Sequence, residues 1–216
     1  MIKTPTSPRQ FPGHVALQQR VLPTYRRPFV EALAAACQGG LSVLAGQPLP
    51  LEGIATVDTL EQVSFTRARN WHFADPSSRL YLCWQGGILT WLRQEDPDAL
   101  IVEANPRYLS TRLAVRWMHA RGRIVLGWGL GAPAPSGVLA PLRRRSRRAF
   151  LHSLDGIIAY SHKGGRQYRA LGLSPERVFV AVNASMPRPT SPPRQRPSQF
   201  QGRPTVLVVG RLQARK

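Results

Sequence analysis

Long apolar runs are missing from this chain of 216 residues. No stretch approaches the roughly 18 to 20 consecutive apolar residues that cross a bilayer, so no membrane-spanning helix is expected. The first eight residues, Met1 to Pro8, hold no apolar h-region, and no signal peptide is expected. Cysteine is nearly absent. Cys37 and Cys83 have neither CxxC nor metal-ligand spacing and read as two reduced thiols packed in the core. Acidic residues are scarce, 11 against 30 basic ones, and only Lys3, Lys163 and Lys216 among the basic residues are lysine. The resulting net charge of +19 attracts phosphate, whether in nucleic acid, in anionic lipid headgroups or on a phosphate-bearing acceptor. Nucleic acid is the weakest of the three, because there is no RNP, helix-turn-helix, KH or zinc pattern and no aromatic interleaving of the basic run.

What is present is enough for a packed core. Hydrophobic residues make up 43 %, and the length suits one domain, or one and a fraction. Residues 1–13 have no period and read as a disordered lead-in. His14 to Leu22 reads as a strand broken at Pro23. Pro28 suits the first turn of a helix in which Phe29, Val30, Leu33 and Ala36 follow at helical spacing. Leu41–Ala45 is a second strand. Residues 46–84 carry no clear pattern apart from a candidate strand at Val63–Thr66. A helix is expected from Gly87 to Arg93, a buried strand over Ala99–Glu103, and a helix from Tyr108 to Ala120 with Leu109, Leu113, Val115 or Arg116, and Trp117 roughly on period. Then come a strand at Arg123–Trp128, a Gly/Pro-rich loop over Gly129–Gly137, and a helix with Leu139, Leu142, Ala149 and Phe150 on one face. A strand at Gly156–Tyr160, a helix over Lys163–Ala170 and a strand at Arg177–Val182 complete the series. Strands alternating with helices predict an α/β fold, a Rossmann-like parallel sheet with helices on both faces, over residues 14–186.

The composition then shifts. Residues 187–204 hold six prolines and read as an interdomain linker. Thr205-Val206-Leu207-Val208-Val209-Gly210 follows, an apolar strand with no partner strand after it. A lone parallel strand cannot bury both faces, so residues 205–216 are expected to begin a second, truncated domain.

Three segments in order resemble family 4 glycosyltransferases of the GT-B fold. Glu103-Ala104-Asn105-Pro106-Arg107 through Trp128-Gly129-Leu130-Gly131 resembles the strand–helix–strand that ends in a Trp-Gly-His-Gly-like loop. Asp155-Gly156-Ile157-Ile158-Ala159-Tyr160-Ser161, with Tyr168, Gly172, Glu176-Arg177-Val178 and Val182-Asn183, resembles the close of the N-terminal domain. Val209-Gly210-Arg211-Leu212 with Lys216 resembles the Gly-Arg-Leu…Lys opening of the donor domain. The resemblance spans roughly residues 14–216. It implies an acceptor-side N-terminal domain and transfer of a sugar, with retention, from a nucleotide-diphosphate sugar to a saccharide or lipid-linked acceptor. It also implies that Arg211 and Lys216 neutralise the departing pyrophosphate, with Asn183 beside them, so that no cofactor or metal is expected. Leu130 stands where the family often carries a histidine, and a leucine side chain cannot hydrogen-bond. His14, His72, His119, His152 and His162 do not match that position and read as structural or solvent-facing.

In open α/β sheets, the loops at the carboxyl ends of the strands line the ligand crevice. That rule selects Tyr25, Arg26 and Arg27, then Glu103, Asn105 and Arg107, then Trp128, Gly129 and Gly131 as acceptor-side candidates. Each has a plainer reading. Arg26 and Arg27 suit a solvated helix start, Glu103 suits a salt bridge to Arg107, and Asn183 suits a cap on the turn into the linker. Arg143, Arg144, Arg145, Arg147 and Arg148 lie on one helix, either as a solvated face or as a dock on an anionic bilayer. Two functional readings therefore stand. One is the acceptor half of a glycosyltransferase in envelope polysaccharide or glycolipid synthesis, inactive alone, cytoplasmic and peripheral on the membrane. The other is a non-enzymatic, degenerate acceptor-binding module that docks on an anionic membrane or a partner.

Overall fold

The computed structural model describes residues 10–76, 78, 80–182, 190–192, 195, 197–198 and 202. The chain divides into one compact unit ending at Met186 and a second, Pro187–Lys216, and every named strand and α-helix belongs to the first. Of the sequence expectations, the strand at 205–216 and the residues Asn183, Arg211 and Lys216 lie outside the described residues, as does most of the linker 187–204.

Seven strands form one parallel sheet. In chain order they are β1 (Val15–Val21), β2 (Leu41–Gly46), β3 (Ser64–Ala68), β6 (Ala99–Glu103), β7 (Ile124–Gly129), β8 (Gly156–Ala159) and β9 (Val178–Val180). Their spatial order is β3-β2-β1-β6-β7-β8-β9. The order reverses between β1 and β6, which makes that gap the topological switch point. The connecting helices are α1 (Arg27–Ala35), α2 (Ile88–Glu95), α3 (Leu109–His119), α4 (Ala140–His152) and α5 (His162–Arg169). The sheet is Rossmann-like, as the alternating strand and helix pattern predicts.

Both faces of the sheet are buried, which is why the central strands are almost wholly apolar. Neighbours along a strand point to opposite faces, and they fall in different hydrophobic clusters. Ala16, Leu44, Leu100 and Val102 join α2, α3, α4 and α5 through Leu92, Met118, Phe150 and Tyr168. Leu17, Val43, Ala45 and Trp128 join α1 through Val30. Each fully buried leucine or phenylalanine here stabilises the fold by about 1.5 to 3 kcal/mol.

Three local expectations are corrected. The chain is tied to the domain from Phe11, whose amide donates to Ala36 O at 2.9 Å, so order begins before residue 14. Helix α3 buries Ser110, Thr111, Ala114, Val115 and Met118, so of the expected series only Val115 is fully buried; Trp117 is half-buried and lies under the Arg121 guanidinium at 3.8 Å. Helix α4 buries only Phe150 and Leu151, leaving Leu139 and Leu142 exposed, because its first two turns carry no buried residue.

The unpatterned stretch 46–84 contains a hairpin of β4 (Asn70–Phe73) and β5 (Leu82–Gln85), a two-stranded antiparallel sheet of its own. Its pairs Trp71↔Trp84 and Phe73↔Leu82 face outward, while Cys83 and Gln85 are buried. Gly86 lets the Trp71 ring lie close to the backbone, since a Cβ there would sit 2.4 Å from the ring and push it aside. Both cysteines are buried free thiols.

Candidate functional site at the carboxyl ends of the strands

Buried polar residues mark the switch point. The ladder between β1 and β6 runs only from Val15↔Ala99 to Leu17↔Ile101. Beyond it the strands separate, and side chains replace the backbone ladder. Glu103 N donates to Gln18 Oε1 at 3.3 Å, and Arg20 N donates to Glu103 Oε1 at 3.1 Å. Gln18 Nε2 donates to Gln85 Oε1 at 2.8 Å, and Gln85 Nε2 donates to Gln19 O at 3.0 Å, which docks the hairpin onto the sheet. Arg20 grips Glu52 through two bonds of 2.9 and 2.6 Å and so holds the loop after β2. Gln18, Gln19 and Gln85 are nearly inaccessible, so every one of these bonds offsets a desolvation cost.

Above this network the loops after β1, β6, β7 and β8 enclose a cleft of about 370 Å³. Arg26, Glu103, Asn105, Arg107, Trp128, Gly129 and Gly131 all line it, so most of the acceptor-side candidates converge there. Tyr25 and Arg27 do not. Tyr25 is half-exposed, and the Arg27 guanidinium binds Thr59 O and pairs with Glu31 at 3.8 Å. Tyr160, Tyr168 and Arg147 also line it, with Ala104, Pro106 and Leu130.

Arg26 is not a solvated helix start. Its Nη1 donates to Gln19 Oε1 at 2.5 Å and its Nη2 to the Tyr160 hydroxyl at 3.0 Å. The guanidinium lies 4.6 Å from the Trp128 ring centre, and Trp128 stacks on Phe29 at 4.8 Å and meets Tyr160 edge-on at 5.1 Å. Its Nε is a buried donor without a partner among the described residues, an unusual state for a buried N–H.

Glu103 does not pair with Arg107. Its carboxylate faces Arg20, Arg26 and the Tyr108 hydroxyl instead. Burial raises its pKa above the usual carboxylate range, and these cationic and hydrogen-bonding neighbours only partly oppose the rise. Burial also pushes the Tyr168 phenol up to about 12, so it stays protonated at neutral pH.

The loop after β7 is fixed by its backbone. Gly131 N donates to the Tyr168 hydroxyl at 3.2 Å and Ala132 N to Gln167 Oε1 at 2.9 Å. Gly131 has φ +137, which favours glycine. Gly164 in α5 gives the loop room, since a Cβ there would meet Leu130 O at 2.5 Å. The Leu130 side chain itself is 75 % exposed.

The α4 arginines do not form a single face. Arg143 and Arg147 border a groove of about 440 Å³ on the cleft side. Arg144, Arg145 and Arg148 border an adjoining hollow of about 740 Å³ that shares Pro133, Ala134, Pro135 and Arg147 with the groove. Four of the five histidines have protein partners: His14 with Ser42 and Glu95, His72 with Tyr81, His119 with Asp155 and His152 with Leu171. No group of three metal-ligating side chains gathers among the described residues, and no helix there is long and apolar enough to cross a membrane.

No protein-family model matches this sequence, and no curated protein matches it. Solved structures resemble it in chain path. Anabaena HepE, solved with UDP-glucose, is 10% identical over 79% of this chain and 44% of its own, with a TM-score of 0.46. The lipopolysaccharide outer core galactosyltransferase WaaB is 12% identical over 79% and 45%, with a TM-score of 0.44. A putative UDP-N-acetylglucosamine 2-epimerase from Listeria monocytogenes is 13% identical over 77% and 44%, with a TM-score of 0.43. The chain spans less than half the length of each.

Proposed function

We propose that this domain is the acceptor side of a GT-B sugar transferase of the family 4 type. In this reading a second domain holds a nucleotide-diphosphate sugar, and the sugar passes with retention to a saccharide or lipid-linked acceptor seated in the cleft. The observation that carries the proposal is the convergence of Arg26, Glu103, Asn105, Arg107 and Trp128 at the switch point of a parallel sheet, where such folds bind ligands. Glu103 accepts a bond from an acceptor hydroxyl, Trp128 and Tyr160 wall the sugar ring, and Asn105 and the free Arg26 Nε complete the polar contacts. Arg211 and Lys216 neutralise the leaving diphosphate, chemistry that needs no metal. The setting is the cytosolic membrane face, in envelope polysaccharide or glycolipid synthesis. A non-enzymatic acceptor-binding module is the second reading, favoured by the exposed leucine at position 130.

The test is transfer itself. The 216-residue chain alone is expected to bind nucleotide-sugars weakly, with affinity falling steeply between low and physiological salt, and to turn nothing over. Joined in frame to a GT-B donor domain, it should transfer sugar. Donor binding without transfer across a broad acceptor panel would favour the second reading.

Glu103 predicts a pH signature of two opposite signs. Because its folded pKa is raised, the folded state holds the proton more tightly than the unfolded chain. Its contribution to stability is therefore lost as pH rises from the ordinary carboxylate range through the elevated folded value. Acceptor binding should strengthen over that same window, because the carboxylate is the better hydrogen-bond acceptor. Glu103→Gln should flatten both dependences, as read by thermal melts and saccharide titrations at stepped pH.

A further inference from the structure

Two tyrosines in the cleft keep hydrogen-bond donors that the protein leaves unspent. Tyr160 accepts from Arg26 Nη2 at 3.0 Å, and Tyr168 accepts from Gly131 N at 3.2 Å. A phenol that has accepted a bond still has its own O–H to give. Neither O–H has an acceptor among the described residues, although both side chains line the cleft. Tyr168 is the sharper case, because it is only 1 % exposed. A buried donor without a partner is costly, so a ligand oxygen is its natural complement. Burial raises the pKa of both phenols, Tyr168 to about 12, so both protons are present at neutral pH. Glycine at position 129 leaves the Tyr168 hydroxyl its room, since a Cβ there would sit 2.5 Å from that oxygen.

The charge around Tyr168 decides which oxygen suits it. Arg26, Arg107 and Arg147 line the cleft against one carboxylate, Glu103, which already faces Arg20 and Arg26. Arg147 forms no ion pair among the described residues, and its Nη1 is tied to Pro133 O. It interacts electrostatically with Tyr168, and burial and then the charge of Arg107 lower its pKa. An anion at the Tyr168 hydroxyl would therefore gain from Arg147 as well as from the O–H. A single negative charge is the better match than a diphosphate, because the only buried guanidinium partner, Arg26, already spends both Nη atoms on Gln19 and Tyr160.

We propose that the cleft selects an acidic saccharide, a uronic acid whose carboxylate accepts from the Tyr168 hydroxyl in the field of Arg147, while the Tyr160 hydroxyl serves a neutral oxygen of the same saccharide. The inference rests on the cleft being the acceptor site and adds the class of acceptor. It makes Tyr168 and Arg147 the residues that tell an acidic sugar from a neutral one, and gives Tyr160 no part in that choice.

Ligand-observed NMR titration of the 216-residue chain tests this, with the methyl glycosides of glucuronic, galacturonic and mannuronic acid set against those of glucose, galactose and mannose. At least one uronate should bind about tenfold or more tighter than its neutral parent, the scale of one charge-assisted bond. Its methyl ester, which keeps the shape and loses the charge, should fall back to the neutral level. Tyr168→Phe and Arg147→Gln should each remove most of the preference and leave the neutral glycoside within about twofold. Tyr160→Phe should weaken both ligands alike. Arg145→Ser, on the adjoining hollow and away from the cleft, should leave the uronate unchanged. The proposal falls if none of the three uronates outbinds its parent. It falls too if Tyr168→Phe weakens the neutral sugar as much, since the phenol would then only hold the loop after β7. Equal loss in Arg145→Ser would mean that the overall positive charge of the chain does the binding, and also overturns it. So does displacement of the uronate by pyrophosphate with the same sensitivity to Tyr168→Phe, because the hydroxyl would then serve a phosphate. Transfer by the joined enzyme to neutral acceptors as readily as to uronates ends this inference and keeps the transferase reading. Tyrosine-dependent uronate binding with no transfer does the reverse.

Discussion

Trp128→Ala is expected to lower the melting temperature by roughly 6 to 20 °C, from a loss of about 3 to 5 kcal/mol in a domain of this size. Trp128 is 5 % exposed, stacks on Phe29, meets Tyr160 edge-on and carries Arg26 over its face. Truncation removes three contacts at once and leaves a cavity under a half-buried cation. The site should suffer with the fold, because Arg26 would lose the surface that orients it while its bonds to Gln19 and Tyr160 remain. Trp128→Phe keeps a ring in the stack and should cost clearly less. Differential scanning calorimetry of the two variants, with saccharide titration of whatever remains folded, separates the effects. If the two variants melt together within a degree or two of the parent, the aromatic cluster is not what holds this edge of the cleft.

The parallel strands were legible because burial on both faces leaves short apolar runs, such as Leu-Ile-Val at 100–102 and Ile-Ile-Ala at 157–159. The hairpin was not. Its alternation is inverted, with Trp71, Phe73, Leu82 and Trp84 outward and Cys83 and Gln85 inward, so its pattern reads as no pattern. The helix faces erred where few residues are buried, as in α4. For the site, the strand-end rule brought out seven of the cleft residues. It missed the network beneath, whose members are far apart in sequence, although Gln18-Gln19 within an apolar strand was a visible anomaly. The five α4 arginines read alike in sequence, as one solvated face or one dock on a bilayer, because a run of arginines looks uniform. On the helix, the four-residue spacing of Arg143 and Arg147 turns that pair toward the cleft side. Gly164-Gly165, costly inside a helix, signals the close approach of the loop after β7.

In the enzyme joined to a donor domain, Leu130→His is expected to raise the rate of transfer by roughly 10²-fold, the scale of a restored acid–base or hydrogen-bonding group. The backbone at this position is already fixed independently of the side chain. Gly131 N is held by Tyr168, Ala132 N by Gln167, and Leu130 O rests on Gly164. The leucine side chain is 75 % exposed at the rim of the cleft, so it contributes little to packing and an imidazole can replace it with little strain. A change in rate would therefore report on chemistry rather than folding, and matched melting curves would show that directly. An unperturbed imidazole titrates near about 6.5, so the gain should disappear below that pH, whereas a loop that had merely shifted would gain or lose uniformly. An unchanged rate would mean that backbone amides alone recognise the ligands here and that the leucine is no defect. If the proposed function holds, the 216-residue chain without a donor domain should transfer nothing with either residue, because the acceptor side alone would not hold the donor. Ordinary enzymatic turnover by that chain alone would end its assignment as the acceptor side.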